Sequence, residues 1–372
     1  MNRIFRRMDK TSLLLYLYFK SFVHRRRISK EDGAVLVLAD LLFGDLAMVG
    51  YLLVALHQTN PSRKIVVLSK SKLSHVVKLF EFVEVVAADH LSWRTLHLLR
   101  NASIGGYGEV INVFSWKWLP ILNALDVGLL SSHLSKKSKD NRRIDRIAAM
   151  PTSPTSAPDI IFSLLHGEFN STSKLLWKPV FIENEWGLPD SYLVIHIGAS
   201  AAARLWPLWV LEKIIQLTEE KKCFVVFTGL NQDKTYTISL EKMIEKNLQS
   251  TSINLIGKTS LTGLLGVVSK AKGLISVDTG VIHWARFLSV PNLSVMGQSD
   301  SALFGANSLL FNQSYCVSTE KLDCQDKQTF HGIKFDWVAG CARNKCPLDD
   351  RLCFSNISQY DLESNFERLI SG

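Results

Sequence analysis

The sequence predicts an α/β protein built from two Rossmann-like, doubly wound parallel-sheet domains. Short apolar runs alternate with helix-like segments, the runs are continuously apolar, and the rhythm stops near residue 150 and restarts near residue 192. A continuously apolar run indicates a strand buried on both faces, as in parallel sheets covered by helices. Repeated strand–helix units imply right-handed crossovers and therefore doubly wound sheets.

The first half opens with the apolar run AVLVLA (34–39), which predicts a strand, followed by a glycine turn and an apolar helix. Two later segments are polar or rich in proline, and both predict loops: 131–146 and 150–158. The remaining predicted elements are the strands KIVVLS, VEVVAA and EVINVF (109–114) and the helix SHVVKLFEF.

The second half repeats the pattern, and its predicted elements are a strand at 192–198, a strand at 223–229, a helix at 232–247, the strand INLIG, a helix at 261–271, a strand at 273–278, a helix from 280 and a strand at 292–297. We therefore expect three regions: a basic N-terminal segment (1–33), a first Rossmann-like domain (34–185) and a second (186–372). Ligands of such sheets bind beyond the carboxyl ends of the strands, so two facing domains would place a site in the cleft between them.

The charge of the 372-residue chain is concentrated at its beginning. Residues 1–32 carry nine Lys and Arg against three acidic residues, a net +6 out of +9 for the chain. The apolar stretch within them is too short to span a membrane, and no signal-peptide cleavage site follows it. Two interpretations stay open: a basic amphipathic helix on an anionic membrane surface, or a helix packed on the body with a solvated basic face. Nucleic-acid binding is disfavoured because aromatic residues do not interleave the basic ones.

Six cysteines in a chain of this length do not indicate a disulfide scaffold. Cys341, Cys346 and Cys353 cluster near the end, with Cys324 upstream. Their spacings of four and six intervening residues differ from the paired C-x2-C pattern of zinc sites, so a buried cluster of reduced thiols is the favoured interpretation.

The strand that ends at Asp278 is followed by Thr279 and Gly280, which open the next helix. The N–H groups at a helix N-terminus lack partners and carry about half a positive charge. His283 lies on the same face of that helix, within reach of the same anion. The alternative is a plain cap with a core histidine.

The strand at 192–198 ends at Gly198, and the small residues that follow leave backbone N–H groups open to an anionic neighbour. Arg204 adds a permanent cation. The pattern is neither G-x-G-x-x-G nor a Walker loop, which argues against NAD enzymes and P-loop NTPases. In a doubly wound domain these groups would converge with the Asp278 turn, an arrangement that suits a diphosphate held without metal.

In the first half, Gly44 and Asp45 open the helix after the first strand. An Asp at this position is most often a capping residue, so position alone favours a structural role.

Several blocks resemble glycosyltransferase family 9, the bacterial lipopolysaccharide heptosyltransferases. They are HIGASAAARLWPLWVLEKI, NLIGKTSLTGLLGVV, VDTGVIHWA and VPNLSVMGQSD in the second half, with FGDLAMVGYLLVAL in the first. The resemblance implies a GT-B fold and inverting transfer of a sugar from a nucleotide diphosphate sugar, without cofactor or catalytic metal. ADP-heptose is the family's commonest donor, and the acceptor would be a lipopolysaccharide core or a related surface glycan.

The resemblance also implies roles for individual residues. Asp45 matches the family's catalytic base, with Gly44 beside it facing the acceptor. Arg204 matches a cation that neutralises the leaving diphosphate, and Asp278 begins the donor-binding block. The full set of implied donor-binding residues is Gly198, Ser200, Arg204, Asn231, Lys258, Thr259, Asp278, Thr279, Gly280 and His283.

The chain departs from the family's pattern in places. Tyr51 stands where Pro is common, Ala39 and Asp40 stand where Arg often occurs, and Asn231 or Asp233 would have to replace an acid that binds the donor ribose. We expect a protein of the cytoplasmic side, in peripheral contact with the inner membrane. Two alternatives remain: a nucleotide-sugar-binding protein without transfer activity, and a GT-B-type nucleotide-sugar epimerase.

Overall fold

The computed structural model describes residues 3–20, 28–29, 33–133, 144–165, 186–199, 201–230, 238–239, 242–243, 251–308, 310–343, 346–347 and 351–371, with side chains except at 3–8 and 19–20. The chain forms two compact units. The first consists of Met1–Pro151, Ile160–Pro179 and His331–Ile333, and the second of Thr152–Asp159, Val180–Phe330 and Lys334–Gly372. The predicted domain boundaries near residues 33 and 185 stay predictions, because both lie beside residues outside the described ranges.

The first unit contains a parallel sheet with the strand order β3-β2-β1-β4-β5-β6 among the described residues. Every residue of β1 and β2 is buried, as expected for strands covered by helices on both faces. The strands are β1 (Ala34–Ala39), β2 (Ile65–Ser69), β3 (Val83–Ala87), β4 (Tyr107–Asn112), β5 (Val127–His133) and β6 (Arg146–Ala148).

The helices up to residue 165 are α1 (Arg3–Lys20), α2 (Phe43–Thr59), α3 (Ser74–Val77), α4 (Trp93–Ala102) and α5 (Ala157–Phe162), with short 3-10 segments at Ser71–Leu73, Trp116–Ala124 and Ser163–Leu165. Helix α1 packs on the body, because Leu13 and Leu17 are fully buried in the core of the first unit. Its remaining face still exposes apolar side chains: Leu14, Leu15 and Tyr18. No helix in the described part of the chain has the length and apolarity needed to cross a bilayer.

The loop predicted at 131–146 is wrong at both ends. Residues 131–133 complete β5, and β6 begins at Arg146. Ser131, Ser132 and His133 are fully buried. The Asn112 amide donates to Ser132 Oγ at 3.1 Å, and His133 Nε2 lies 3.0 Å from the Ile160 carbonyl oxygen, so hydrogen bonds make Ser132 and His133 acceptable in an inner strand. The end of the loop predicted at 150–158 is likewise helical, since α5 begins at Ala157.

The second unit repeats the topology. Its strand order is β12-β11-β10-β7-β8-β9, which is the same 3-2-1-4-5-6 arrangement counted from its own first strand. All of its described pairings are parallel, with His196 of β7 opposite Ser276 of β10. The strands are β7 (Leu193–His196), β8 (Val225–Thr228), β9 (Ser252–Asn254), β10 (Gly273–Ser276), β11 (Asn292–Met296) and β12 (Ser314–Ser318).

The later helices are α6 (Leu208–Glu220), α7 (Leu261–Ser269), α8 (Gly280–Phe287), α9 (Ser301–Phe304), α10 (Leu352–Ser355) and α11 (Gln359–Ser371), with a 3-10 turn at Ala202–Arg204 and a hairpin of β13 (Thr329–Phe330) and β14 (Ile333–Lys334). The helix predicted at 232–247 lies outside the described residues apart from 238–239 and 242–243, which are helical. Helix α11 belongs to the core of the second unit, because Leu362, Phe366 and Leu369 are buried with the sheet residues.

Candidate functional site

The order of both sheets reverses between the first and fourth strands of each unit. In the second unit that switch point lies between β7 and β10, which are followed by Gly198 and Asp278. Doubly wound sheets bind their ligands beyond the strand ends at this point. The residues singled out from the sequence therefore lie where the topology predicts a ligand.

Asp278 is the centre of a charged cluster. It is only 6% exposed. One of its carboxylate oxygens lies 3.4 Å from His283 Nε2. The other lies 4.0 Å from an Arg204 nitrogen and accepts a hydrogen bond from Ser299. Burial alone would raise the pKa of Asp278, but the hydrogen bonds and positive charge of these partners outweigh it and bring the pKa to about 2. Asp278 is therefore an anion at neutral pH, and it holds the imidazole and guanidinium in place.

Helix α8 begins at this cluster. Thr279 is its N-cap in an extended conformation, and its hydroxyl makes no capping hydrogen bond; it lies instead 3.3 Å from Ser276 Oγ. In the described part of the chain, the buried Nδ1 atom of His283 has no hydrogen-bond partner. A buried polar atom without a partner is costly, and a ligand is one way to satisfy it. Gly280, the first helical residue, completes this side of the site.

Arg204 ends the 3-10 turn Ala202–Arg204 that follows β7. Its side chain is 30% exposed, so it faces partly toward solvent while remaining paired with Asp278. A partly exposed guanidinium beside a helix N-terminus can bind a diphosphate.

Other predicted donor residues have different surroundings. Gly198 is needed for packing, since a Cβ there would lie 3.1 Å from His196 Nε2 and 3.2 Å from the Leu230 nitrogen. Lys258 is exposed, and its amine donates to the Asn254 carbonyl oxygen at 2.8 Å rather than joining the Asp278 cluster. Thr259 is half-buried in the same loop. Ser200 and Asn231 lie outside the described residues.

The switch point of the first unit lies between β1 and β4 and carries Asp45 in the first turn of α2. One oxygen of Asp45 accepts the backbone N–H of Leu42 at 3.2 Å, so the capping role expected from the sequence is present. The other oxygen lies 3.5 Å from His331 Nε2. Gly44 precedes Asp45 within the same turn.

No local pattern in the sequence indicates the aromatic stack that lies beside Asp45. The ring of Phe114, which follows β4, stacks on His331 at 4.7 Å and 11° and on His133 at 4.9 Å and 8°. These residues are separated by up to 217 positions, and no local pattern connects them.

Asp40 stands where the resembled family often has Arg, and basic side chains lie next to it. Its carboxylate pairs with Lys117 and lies 4.0 Å from Lys70, and its backbone N–H donates to Ser115 Oγ at 2.8 Å. The first switch point therefore still has cationic side chains, but they are Lys70 after β2 and Lys117 after β4 rather than a residue at the end of β1.

The clustered cysteines line one cavity of about 120 Å³ in the second unit: Cys324, Cys341, Cys346 and Cys353. All are free thiols, and burial raises the pKa of Cys353 to about 11, so it is protonated at neutral pH. The described residues contain no group of three or more ligands arranged to hold a metal ion. The favoured interpretation, a cluster of reduced thiols, agrees with this arrangement.

Residues 171–333 match the model of "Glycosyltransferase family 9 (heptosyltransferase)". Lipopolysaccharide heptosyltransferase 1 of Salmonella typhimurium strain LT2 is 26% identical over 143 residues, which are 38% of this chain and 42% of that relative. The matched region therefore spans less than half of that curated relative.

Among the solved structures that resemble this chain, two cover most of it. E. coli ADP-heptose LPS heptosyltransferase II superimposes with a TM-score of 0.66 at 15% identity, covering 91% of this chain and 98% of that one. E. coli heptosyltransferase WaaC with ADP gives 0.56 at 17% identity, covering 72% and 88%. The resemblance to glycosyltransferase family 9 is thus confirmed, and so is the predicted GT-B class of α/β fold with two doubly wound parallel sheets.

Proposed function

We propose that this protein is an inverting, metal-independent glycosyltransferase that moves heptose from ADP-heptose to a lipopolysaccharide core or related surface glycan. The observation that carries the proposal is the buried Arg204–Asp278–His283 cluster at the N-terminus of α8. It lies at the switch point of the second sheet, inside the region that matches the family model.

The cluster suits a leaving nucleoside diphosphate. Arg204 and the first N–H groups of α8 supply positive charge, fixed before the reaction, where negative charge develops on the departing phosphate. The anionic Asp278 would repel a phosphate, so its proposed role is to orient Arg204 and His283. The free Nδ1 of His283 provides one further hydrogen bond to the donor. Ser200, Asn231 and Thr259 remain proposed donor contacts. The resemblance also implies Lys258, but its amine bonds to the Asn254 carbonyl oxygen, so we expect it to contribute little to donor affinity.

Asp45 is the proposed general base. The acceptor hydroxyl loses its proton to the Asp45 carboxylate as its oxygen bonds to the anomeric carbon, and the bond from that carbon to the diphosphate oxygen breaks. The electron pair leaves with the nucleoside diphosphate, and the anomeric configuration inverts in one displacement. Accepting the Leu42 N–H at Oδ2 is compatible with binding an acceptor hydroxyl as well, because a carboxylate provides about four lone-pair sites on its two oxygens.

The choice of ADP-heptose and a lipopolysaccharide acceptor is supported by the names of the matched relatives. Other nucleotide sugars are used within the resembled family and remain alternatives, as do a binding protein without transfer and an epimerase.

We also propose that α1 contacts an anionic membrane, on the cytoplasmic face that carries the acceptor. Leu14, Leu15 and Tyr18 are 38%, 56% and 61% exposed on the face of α1 opposite its buried leucines. The net charge of +6 in residues 1–32 favours an anionic lipid surface. Packing of α1 on the body and binding to lipid are compatible, because they use different faces of the helix.

The central experiment measures nucleotide release from a panel of ADP- and UDP-sugars with membrane glycolipid extract as acceptor. Turnover with one ADP-sugar, and a product of inverted configuration by NMR, supports the proposal. Tight donor binding without turnover from any donor favours the binding protein, and C2 inversion of the free nucleotide sugar favours the epimerase.

Membrane contact is tested by co-sedimentation with vesicles of pure phosphatidylcholine or of phosphatidylcholine with phosphatidylglycerol. We expect binding to the anionic vesicles alone, and its loss in the double variant Leu15→Glu/Tyr18→Glu. The control Tyr360→Glu changes a still more exposed aromatic residue in the second unit. Equal binding of the two variants would exclude α1 as the docking face.

A further inference from the structure

The hairpin of β13 and β14 has an unusual two-residue turn. Its central residues, His331 and Gly332, have φ angles of +47° and +81°. Positive φ at both positions is the requirement of a type I′ hairpin turn, which glycine satisfies freely and which asparagine and aspartate tolerate better than most residues. A histidine at the first position is uncommon, and an uncommon backbone conformation is a reason to ask what its side chain does.

The side chain of His331 is held on two sides. The ring of Phe114 stacks on it almost in parallel, at 4.7 Å and 11°. At its edge, Nε2 lies 3.5 Å from Oδ1 of Asp45. The imidazole is 22% exposed and the carboxylate 14% exposed, so water competes only partly for their contact.

Asp45 is therefore held at both oxygens. Oδ2 accepts the Leu42 N–H at 3.2 Å, and Oδ1 faces the imidazole N–H of His331. The first contact alone would let the carboxylate rotate about its last torsion, which is broad for Asp. The second contact fixes the plane of the carboxylate, and contacts of 3.5 Å in a ligand-free site commonly shorten when substrate binds.

We propose that His331 is a positioning residue: it orients the Asp45 carboxylate toward the acceptor hydroxyl. This inference rests on the proposed role of Asp45 as the base. His331 does not need to exchange a proton with substrate. Its Nε2 lies 3.5 Å from Asp45 Oδ1, longer than a well-formed hydrogen bond, and we expect its N–H to donate to Oδ1 once the acceptor is bound. A loosely held base loses the alignment on which proton abstraction depends, and misplacement by about 1 Å can cost about a hundredfold in rate.

The test uses three substitutions of His331. In His331→Asn the residue still tolerates the left-handed turn, but its amide is too short to reach Asp45. In His331→Gln the amide nitrogen can occupy the place of Nε2, and His331→Ala removes the contact altogether. We expect kcat to fall by about ten- to a hundredfold in the Asn and Ala variants. The Gln variant should recover much of that loss, while Tm and the donor Kd stay near those of the wild type.

A double-mutant cycle with Asp45→Asn separates positioning from a general structural role. If His331 acts through Asp45, replacing it in the Asp45→Asn background changes the residual rate less than twofold. Additive losses, or a wild-type kcat for His331→Asn, would overturn the inference. A wild-type rate for Asp45→Asn would instead refute Asp45 as the base, so the two failures are distinguishable.

A second readout is independent of turnover. The ring ¹⁵N resonances of His331, assigned by their absence in His331→Asn, should shift in the folded Asp45→Asn variant because their partner has changed. Unchanged resonances would show that the two side chains are not paired, and would overturn the inference even in a protein that transfers no sugar.

Discussion

The two sheets have the same strand order, yet the aspartates at their switch points have different surroundings. Asp278 directly follows a strand, is nearly inaccessible, and its pKa is about 2 because a guanidinium, an imidazole and a hydroxyl surround it. Asp45 lies in the first turn of a helix and is partly accessible, and its neighbours include a backbone N–H and one imidazole. An acid held so strongly as an anion is a poor proton acceptor near neutral pH, which supports the proposal that Asp45 rather than Asp278 is the base. The same topology thus provides a fixed anion in one unit and an accessible carboxylate in the other.

Replacing Asp45 should have the largest effect, because it removes the proposed base. We expect Asp45→Asn to reduce kcat by about 10²- to 10⁴-fold while the donor Kd stays within about twofold. Steady-state kinetics and calorimetry of donor binding measure the two quantities. Asp126→Asn, which removes an exposed acid of the same unit, serves as the control. Comparable activity of Asp45→Asn and Asp126→Asn would mean that Asp45 is not the base, and the proposed difference in role between Asp45 and Asp278 would no longer hold.

Replacing Asp278 should chiefly affect stability. Its pKa is lower in the folded protein than the usual value near 3.9, so its contribution is present above about pH 4 and disappears as pH falls toward 2. We expect Asp278→Asn to lower the free energy of unfolding by on the order of 2–3 kcal/mol at pH 7, with the difference vanishing near pH 2. Urea unfolding of both proteins at pH 7, 4, 3 and 2 measures this. A difference independent of pH would argue against the ion pairs as its cause.

Replacing Arg204 should weaken donor binding to an intermediate extent. The side chain is 30% exposed, so solvent screens its charge, and we expect Arg204→Gln to raise the donor Kd by about tenfold. Lys270→Gln removes an exposed cation of the same unit and should leave Kd unchanged. Isothermal calorimetry with ADP and ADP-heptose compares them. Equal Kd values for the two variants would place the diphosphate elsewhere.

The smallest effect is expected for Lys258, which the family resemblance assigns to the donor site. Because its amine already bonds to the Asn254 carbonyl oxygen on an exposed loop, Lys258→Gln should change the donor Kd by less than about twofold. The same calorimetric titration measures this. A tenfold loss of affinity would show that the lysine leaves Asn254 to reach the donor, and would support the role that the resemblance implies.

The sequence predicted the elements whose signal is local. The run 34–39 is a strand with those bounds, because every position is apolar and buried. Gly198 and Asp278 are recognisable as candidate site residues because each directly follows such an apolar run. The polar end of strand β5 is not predicted, because burial of Ser132 and His133 depends on partners such as Asn112 and Ile160 that a local pattern does not contain.

The site residues show the same contrast between features with a local sequence signal and features that depend on distant partners. Asp278, Thr279, Gly280 and His283 occur within six residues, and their cluster with Arg204 is present. His331, which contacts Asp45 across 286 positions, could not be predicted, because a His-Gly pair is a weak turn signal and nothing local connects it with a carboxylate. Lys258 is the opposite case: the motif implies a donor contact, and the amine bonds to a carbonyl oxygen of its own loop, so the donor contact stays a prediction.

The buried position of helix α11 has a consequence for the order of events during synthesis. Its residues Leu362, Phe366 and Leu369 fill the core of the second unit, so that core is incomplete until residue 369 has been made. At roughly 5–20 residues per second, the ribosome needs about 10–40 s to proceed from the end of the first unit's main segments to that point. During that interval the first sheet can already be folded, whereas the strands that precede Arg204 and Asp278 still expose apolar surface. Chaperone demand, and the harm done by a premature stop, should therefore fall mainly on the second unit.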